Sequence, residues 1–184
     1  MNILVPTQEQ VHQMFPEADE IESPIIGGQK LVYKCKIKGE GCVIKFIPFT
    51  ISPEALEEGA DLGTVLDGAT ARARREVEIL LRCTNPHLVR LGLIRPKIIS
   101  YEGHHFVCFS EELICGKNLR QIINVETLDT REVIRLGHHI SEAIEALWKL
   151  ETVHRDIKPE NIMRRDSDGS FVLLDMGCAF DHQV

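Results

Sequence analysis

Two stretches of helical periodicity, set among β-rich runs that do not alternate with them regularly, limit the architectures open to this chain. In Thr130 to Lys149 the apolar residues Val133, Leu136, Ile140, Ile144 and Leu147 recur every three or four positions, the stripe of a one-sided amphipathic helix. Thr70 to Cys83 repeats the pattern with Ala73, Val77, Leu80 and Leu81, and Asn85-Pro86 stops it because the residue before a proline avoids the helical region. Ahead of this first helix, Leu31-Val32-Tyr33 and Cys42 to Phe46 read as strands joined by a turn at Lys38-Gly39-Glu40-Gly41. Leu88 to Ile99 and His105 to Phe109 read as further strands between the helices. A polar loop follows the second helix, and in Ile162 to Val184 the dipeptide Asp168-Gly169 between apolar runs signals a hairpin. Strands, helix, strands, helix, loop and hairpin make a mixed α and β chain, not the regular alternation of a doubly wound sheet. Residues 1–20 read as a polar lead-in with a short helix bracketed by Pro6 and Pro16, and residues 47–68 as a connection broken by Pro48 and Pro53.

Size and charge exclude some classes. A chain of 184 residues, 43% hydrophobic, buries roughly 70% of the surface its unfolded form exposes, enough for a real core. Its 28 acidic against 21 basic residues, a formal charge of -7, argue against a protein that works by binding nucleic-acid phosphates. No apolar run approaches the ~20 residues of a membrane helix, and the start lacks a basic segment followed by an apolar one, so no signal peptide is expected. Six cysteines without a C-x-x-C pair fit reduced thiols, and a cytoplasmic location is expected. Neighbouring histidines such as His104-His105 and His138-His139 point to different faces and make poor metal sites.

The chemistry concentrates near the end. Val153 to Met163 reads VHRDIKPENIM, with Asp156, Lys158 two positions on and Asn161 five positions on; the triplet Asp175-Met176-Gly177 follows an apolar strand at Phe171 to Leu174. Phosphoryl transfer needs these types: a carboxylate to orient and accept the proton of a hydroxyl, a cation for the moving phosphoryl group, and an amide oxygen with a second carboxylate for magnesium.

The two motifs resemble the catalytic-loop signature H-R-D-x-x-x-x-N and the D-F-G triplet of eukaryotic-type protein kinases, with Met176 in place of phenylalanine. Lys158-Pro159-Glu160-Asn161 resembles the serine/threonine branch. The resemblance implies an α+β, protein-kinase-like fold: an N-terminal antiparallel β-sheet lobe with one αC-type helix, and an incomplete, mainly helical C-terminal lobe. It implies a kinase domain over 21–184, divided as N-lobe 21–111, hinge 112–118 and partial C-lobe 119–184. It also implies the γ-phosphoryl of Mg-ATP as the transferred group and a protein Ser/Thr hydroxyl as acceptor.

Site residues follow from the same frame. Asp156 and Lys158 are the implied catalytic pair, and Asn161 and Asp175 the implied magnesium ligands. Cys42-Val43-Ile44-Lys45 stands in the place of V-A-I-K, so Lys45 is implied to grip the phosphates, with Glu76 as its helix partner. The separation of Lys45 and Glu76 implies an insertion over residues 47–68. Of the three glycines in the family's phosphate loop only Gly27 remains; Ile26, Gly27 and Gly28 would line the phosphates, Lys30 standing where the last glycine would. Val32 and Val43 are implied to cover the adenine, with Met163 beneath it and the backbone of Glu112 and Ile114 at its edge. Glu111 falls where the family commonly has an apolar residue.

The family's further helices do not follow Val184, so the helix from Thr130 is expected to show an uncovered apolar face suited to a partner or a second copy. The other reading of these residues is a truncated kinase-like module that binds nucleotide or partner without efficient transfer.

Overall fold

The computed structural model describes residues 4–27, 30–49 and 71–181, with side chains omitted at 71–74, 180 and 181. The backbone divides into two compact units, Met1–Arg74 with Leu91–Leu113, and Arg75–Arg90 with Ile114–Val184.

The first unit starts with helix α1, Gln8–Met14, whose N-terminus is closed by a reciprocal pair of bonds between Thr7 and Gln10. Strands β1 (Ala18–Asp19), β2 (Ile25–Gly27), β3 (Lys30–Ile37) and β4 (Glu40–Phe49) follow, then β5 (Lys97–Tyr101) and β6 (His104–Glu112). They form an antiparallel sheet in the order β1-β3-β4-β6-β5, with β2 on β3. Lys38 and Gly39, at φ 53° and 81°, make the tight β3–β4 turn.

Strand alternation sets the two faces. Leu31, Tyr33, Cys35 and Ile37 of β3 join Cys42, Ile44 and Phe46 of β4 and Phe106 and Cys108 of β6 in one buried cluster. Val11, Phe15 and Ala18 complete it, so the lead-in segment is part of this core. Phe15 meets Phe46 edge to face at 5.7 Å, and the Tyr33 hydroxyl donates to the Pro6 carbonyl at 2.6 Å. Burial pushes the Tyr33 hydroxyl up to about 12, which keeps it a donor. The opposite face carries Val32, Val43, Lys45, Phe109 and Glu111, because Val32 pairs with Lys45, Lys45 with Phe109 and Val43 with Glu111.

The strand expected over Leu88 to Ile99 is corrected: only Lys97–Tyr101 is a strand there, and Leu91 makes one isolated bridge to Glu111. Pro96 lacks the donor a ladder requires, and Ile94 instead bonds through its N–H to the Ser110 hydroxyl at 2.8 Å.

The second unit holds α2 (Ala71–Arg82, entering the unit at Arg75), β7 (Gly116–Asn118), α3 (Leu119–Ile123) and α4 (Thr130–Trp148). Strands β8 (Thr152–Val153), β9 (Ile162–Arg165), β10 (Phe171–Leu173) and β11 (Phe180–Asp181) complete it. The order β10-β9-β7 makes one sheet, and β8 pairs with β11. The β9–β10 hairpin turns at Gly169, as Asp168-Gly169 predicts. Ala143 and Leu147 of α4 are fully buried with Ile79, Leu88, Ile162, Phe171 and Leu173, and Leu136 and Ile140 pack at the margin. Val133, Ile134, Ile144 and Trp148 are exposed, which is the open apolar face expected of this helix.

Candidate active site

The loop between β8 and β9 is built around His154, a buried imidazole with two backbone partners. Its Nε2 donates to the Leu174 carbonyl at 3.0 Å, and the Asp156 N–H donates to its Nδ1 at 3.2 Å. One ring nitrogen donating and the other accepting defines the neutral imidazole. Burial holds its pKa below the usual histidine range, against the opposing pull of the Leu174 carbonyl and the carboxylates of Asp175, Asp156 and Glu76. Arg155, at φ 65°, turns the chain between them so that Asp156 can double back.

Two implied site residues converge on Asp156. Lys158 Nζ donates to Asp156 Oδ2 at 2.7 Å, and Asn161 Nδ2 donates to the same oxygen at 2.9 Å and to the Asp156 carbonyl at 3.0 Å. The pKa of Lys158 is raised, first by this hydrogen bond to Asp156. A single 3-10 turn over Pro159–Asn161 makes the spacing possible, since its closing bond runs from the Asn161 N–H to the Lys158 carbonyl at 2.9 Å.

The second motif reaches the same place through the backbone. The Leu174 N–H donates to the Asn161 carbonyl at 2.8 Å, so both ends of Leu174 are held by the loop, one by His154 and the other by Asn161. Asp175 follows at φ 66°, and its Oδ1 accepts from the Gly177 N–H at 3.2 Å. A methyl group on Gly177 would lie 3.2 Å from Asp175 Oδ1 and 3.3 Å from Glu76 Oε2, so Glu76 is a neighbour of this triplet.

The donors present suit magnesium. Asn161 has its amide nitrogen engaged by Asp156, which leaves the amide oxygen as its acceptor, and Asp175 supplies a carboxylate; both are hard oxygen donors. Among the described residues no group of three or more His, Cys, Asp or Glu could hold a metal alone. A cation held by Asn161 and Asp175 would take its other ligands from water and phosphate.

The remaining implied residues divide between the units. Glu76, Ile114 and Met163 lie in the second, whereas Ile26, Gly27, Val32, Val43, Lys45 and Glu112 lie in the first. Gly28 lies outside the described residues, as does the expected insertion from residue 50 on; its first three residues, 47–49, are corrected, since they continue β4 opposite Val107, Phe106 and His105. Ile26 is well exposed on β2. Within the first unit Lys45 donates to Glu111 Oε1 at 2.5 Å, with side-chain exposures of 6% and 4%, and its ammonium lies 5.7 Å from the Phe109 ring centre.

That ion pair is the feature sequence reasoning missed, since Glu111 had a position but no task. The available signal was alternation: Glu111 shares its face with Phe109 in an otherwise buried strand, and a carboxylate there requires a cation. His154 was likewise named only as part of a motif.

The family model described as protein kinase domain matches residues 27–183. Similar curated proteins include ribosomal protein S6 kinase alpha-1 of Mus musculus, 32% identical over 107 residues, which is 58% of this chain and 14% of that protein. The inhibitor of nuclear factor kappa-B kinase subunit alpha of Xenopus tropicalis is 27% identical over 113 residues, covering 58% and 15%. A probable serine/threonine-protein kinase, pknA2 of Bifidobacterium longum, is 32% identical over 109 residues, covering 59% and 14%. The matched segment thus spans about one seventh of the length of such relatives.

Proposed function

Because the chain belongs to the protein kinase domain family, we propose that it is the nucleotide-binding and catalytic-loop portion of a serine/threonine kinase using Mg-ATP. The observation that carries this reading is the Asp156 carboxylate gripped at one oxygen by both Lys158 and Asn161, with Leu174 bonded to Asn161 just before Asp175. The serine/threonine assignment draws on Lys158-Pro159-Glu160-Asn161 and on the name of one relative, the probable serine/threonine-protein kinase of Bifidobacterium longum.

In this reading Asp156 orients the acceptor hydroxyl and takes its proton as the oxygen attacks the γ-phosphorus. The bond from that phosphorus to the β-phosphate oxygen breaks, and ADP leaves with the electron pair. Lys158, already beside Asp156, stabilises charge on the group in transit. Asn161 and Asp175 would hold magnesium, which when bound neutralises phosphate charge and orients the chain of phosphates. Lys45 grips the phosphates with Glu76 as its helix partner, and Val32, Val43, Met163 and the backbone of Glu112 and Ile114 frame the base. Neutral His154 keeps the loop and Leu174 in register.

Phosphate transfer to a serine-containing peptide, measured for the unaltered chain and for Asp156→Ala, tests the proposal. The substitution is expected to remove transfer while nucleotide affinity stays within about threefold, as for a group that acts only in the transition state. Unchanged turnover would sink the assignment.

A second reading has its own support: the loss of two of the three phosphate-loop glycines, and the open face at Val133, Ile134, Ile144 and Trp148, suit a kinase-like module that binds nucleotide or partner. Magnesium-dependent nucleotide binding without transfer, together with a concentration-dependent dimer, would favour it. A cytoplasmic location fits the six free cysteines, and no helix among the described residues is long and apolar enough to cross a membrane.

A further inference from the structure

The Lys45–Glu111 pair bears on nucleotide affinity, on the reading above that Lys45 is the phosphate-gripping cation. We propose that Glu111 is a positioning residue that restrains nucleotide binding: its carboxylate holds the Lys45 ammonium and offsets the positive charge that an incoming polyphosphate would meet.

The geometry is set by strand register. Val43 stands opposite Glu111 and Lys45 opposite Phe109, so Lys45 and Glu111 are diagonal neighbours on one face of β4 and β6. Their contact is 2.5 Å and both side chains are more than nine-tenths buried, so water screens it little. Phe109 beneath the ammonium confines it further.

Stability alone does not explain the carboxylate. A buried ion pair is seldom more stabilising than an apolar pair of similar volume, so a methionine opposite Val43 would serve the packing at least as well. What an apolar residue would not do is oppose an anion. A phosphate approaching Lys45 meets the field of Glu111 at the same nitrogen, and its gain is reduced by the loss or sharing of the existing bond. A ligand that never reaches Lys45 is indifferent to this contest.

Equilibrium binding of magnesium-ATP, ADP and adenosine to the full chain and to Glu111→Gln and Glu111→Met tests the inference. Both substitutions are expected to tighten ATP binding by about tenfold, to tighten ADP binding less, and to leave adenosine unchanged. Adding Lys45→Met should abolish the gain. Glu111→Asp keeps the charge but retracts it by a methylene, and is expected to give a gain of about twofold; it serves if the neutral variants do not fold. Mere structural damage would weaken every ligand, not strengthen the charged ones. Unchanged or weaker ATP binding by a cooperatively folding variant overturns the inference, as does a gain shared equally by adenosine. If the unaltered chain binds ATP and no variant gains, the restraint is refuted and the site reading stands. If the unaltered chain and every variant bind none of the three ligands, the site reading falls and takes the inference with it.

Discussion

Asn161 gives its side-chain amide to Asp156 twice, at 2.9 Å to the carboxylate and at 3.0 Å to the backbone carbonyl. The asparagine is thereby a brace for the loop between β8 and β9 as well as an implied metal ligand. A hydrogen bond to a charged group contributes about 1.5–3 kcal/mol. Asn161→Ala is expected to lower the melting temperature of the apo chain by roughly 4–10 °C and to remove magnesium-dependent nucleotide stabilisation. Thermal unfolding with ATP, with and without magnesium, checks both effects; an undiminished magnesium-dependent shift would exclude Asn161 as a ligand.

His154 makes stability depend on pH. Its folded pKa lies below the unfolded value, chiefly through burial, so the unfolded chain binds the proton more readily. Stability therefore rises with pH through this group: it is present above an unfolded pKa of about 6.5 and declines as pH falls below that value. His139 is lowered in the same direction, first by desolvation and then by His87, and adds to the slope. Denaturant unfolding between pH 7.5 and about 5.5 should show a falling midpoint, and His154→Gln should flatten part of that fall. An equal slope in the variant would remove His154 as its source.

Phe15 tests whether the first residues belong to the core. It is fully buried and meets Phe46 edge to face, while Lys97 Nζ stands 4.3 Å from its ring centre. Phe15→Ala is expected to cost about 3–5 kcal/mol, the range for removing a buried aromatic. Removing residues up to Ala18 should cost more, since Val11 and Ala18 go with it. An unfolding free energy unchanged within error would place this segment outside the cooperative unit.

Gly116 opens β7 where a side chain has no room. Its φ is 154°, and a Cβ there would collide with the carbonyl oxygen of Arg164 on the paired strand β9. Because backbone, not a flexible side chain, is in the way, Gly116→Ala is expected to separate β7 from β9 at a cost of about 2–4 kcal/mol. Amide exchange at Asp166, whose N–H donates to the Cys115 carbonyl just before β7 at 2.9 Å, reads this directly, and protection equal to that of the unaltered chain would contradict it.

Much of the site was legible because its chemistry is local. Asp156, Lys158 and Asn161 lie within six residues, and one short turn brings them together whatever the remainder of the chain does. The two long helices were legible from spacing, with ends within a residue of those observed: Ala71–Arg82 against Thr70 to Cys83, and Thr130–Trp148 against Thr130 to Lys149. Leu88 to Ile99 was misread because apolar composition marks burial and not the ladder, and Pro96 together with side-chain bonding from Ser110 decided against a continuous strand.

What the sequence determined by itself was the local clustering of Asp156, Lys158 and Asn161, the amphipathic helices and the β9–β10 hairpin, since each depends on neighbours a few positions apart. Only the tertiary structure decided which distant groups meet. Lys45 and Glu111 are 66 positions apart and become partners through the register of β4 on β6. Leu174 becomes the link between His154 and Asn161 through bonds that no local pattern encodes. Likewise the lead-in segment enters the first core through Val11 of α1 and Phe15 just after it, because the face of β3 and β4 that carries Tyr33 and Phe46 is apolar and must be covered. The physical reason is the same each time: a buried charge, carbonyl or aromatic ring takes whichever partner chain packing brings within reach, and that is a property of register and burial.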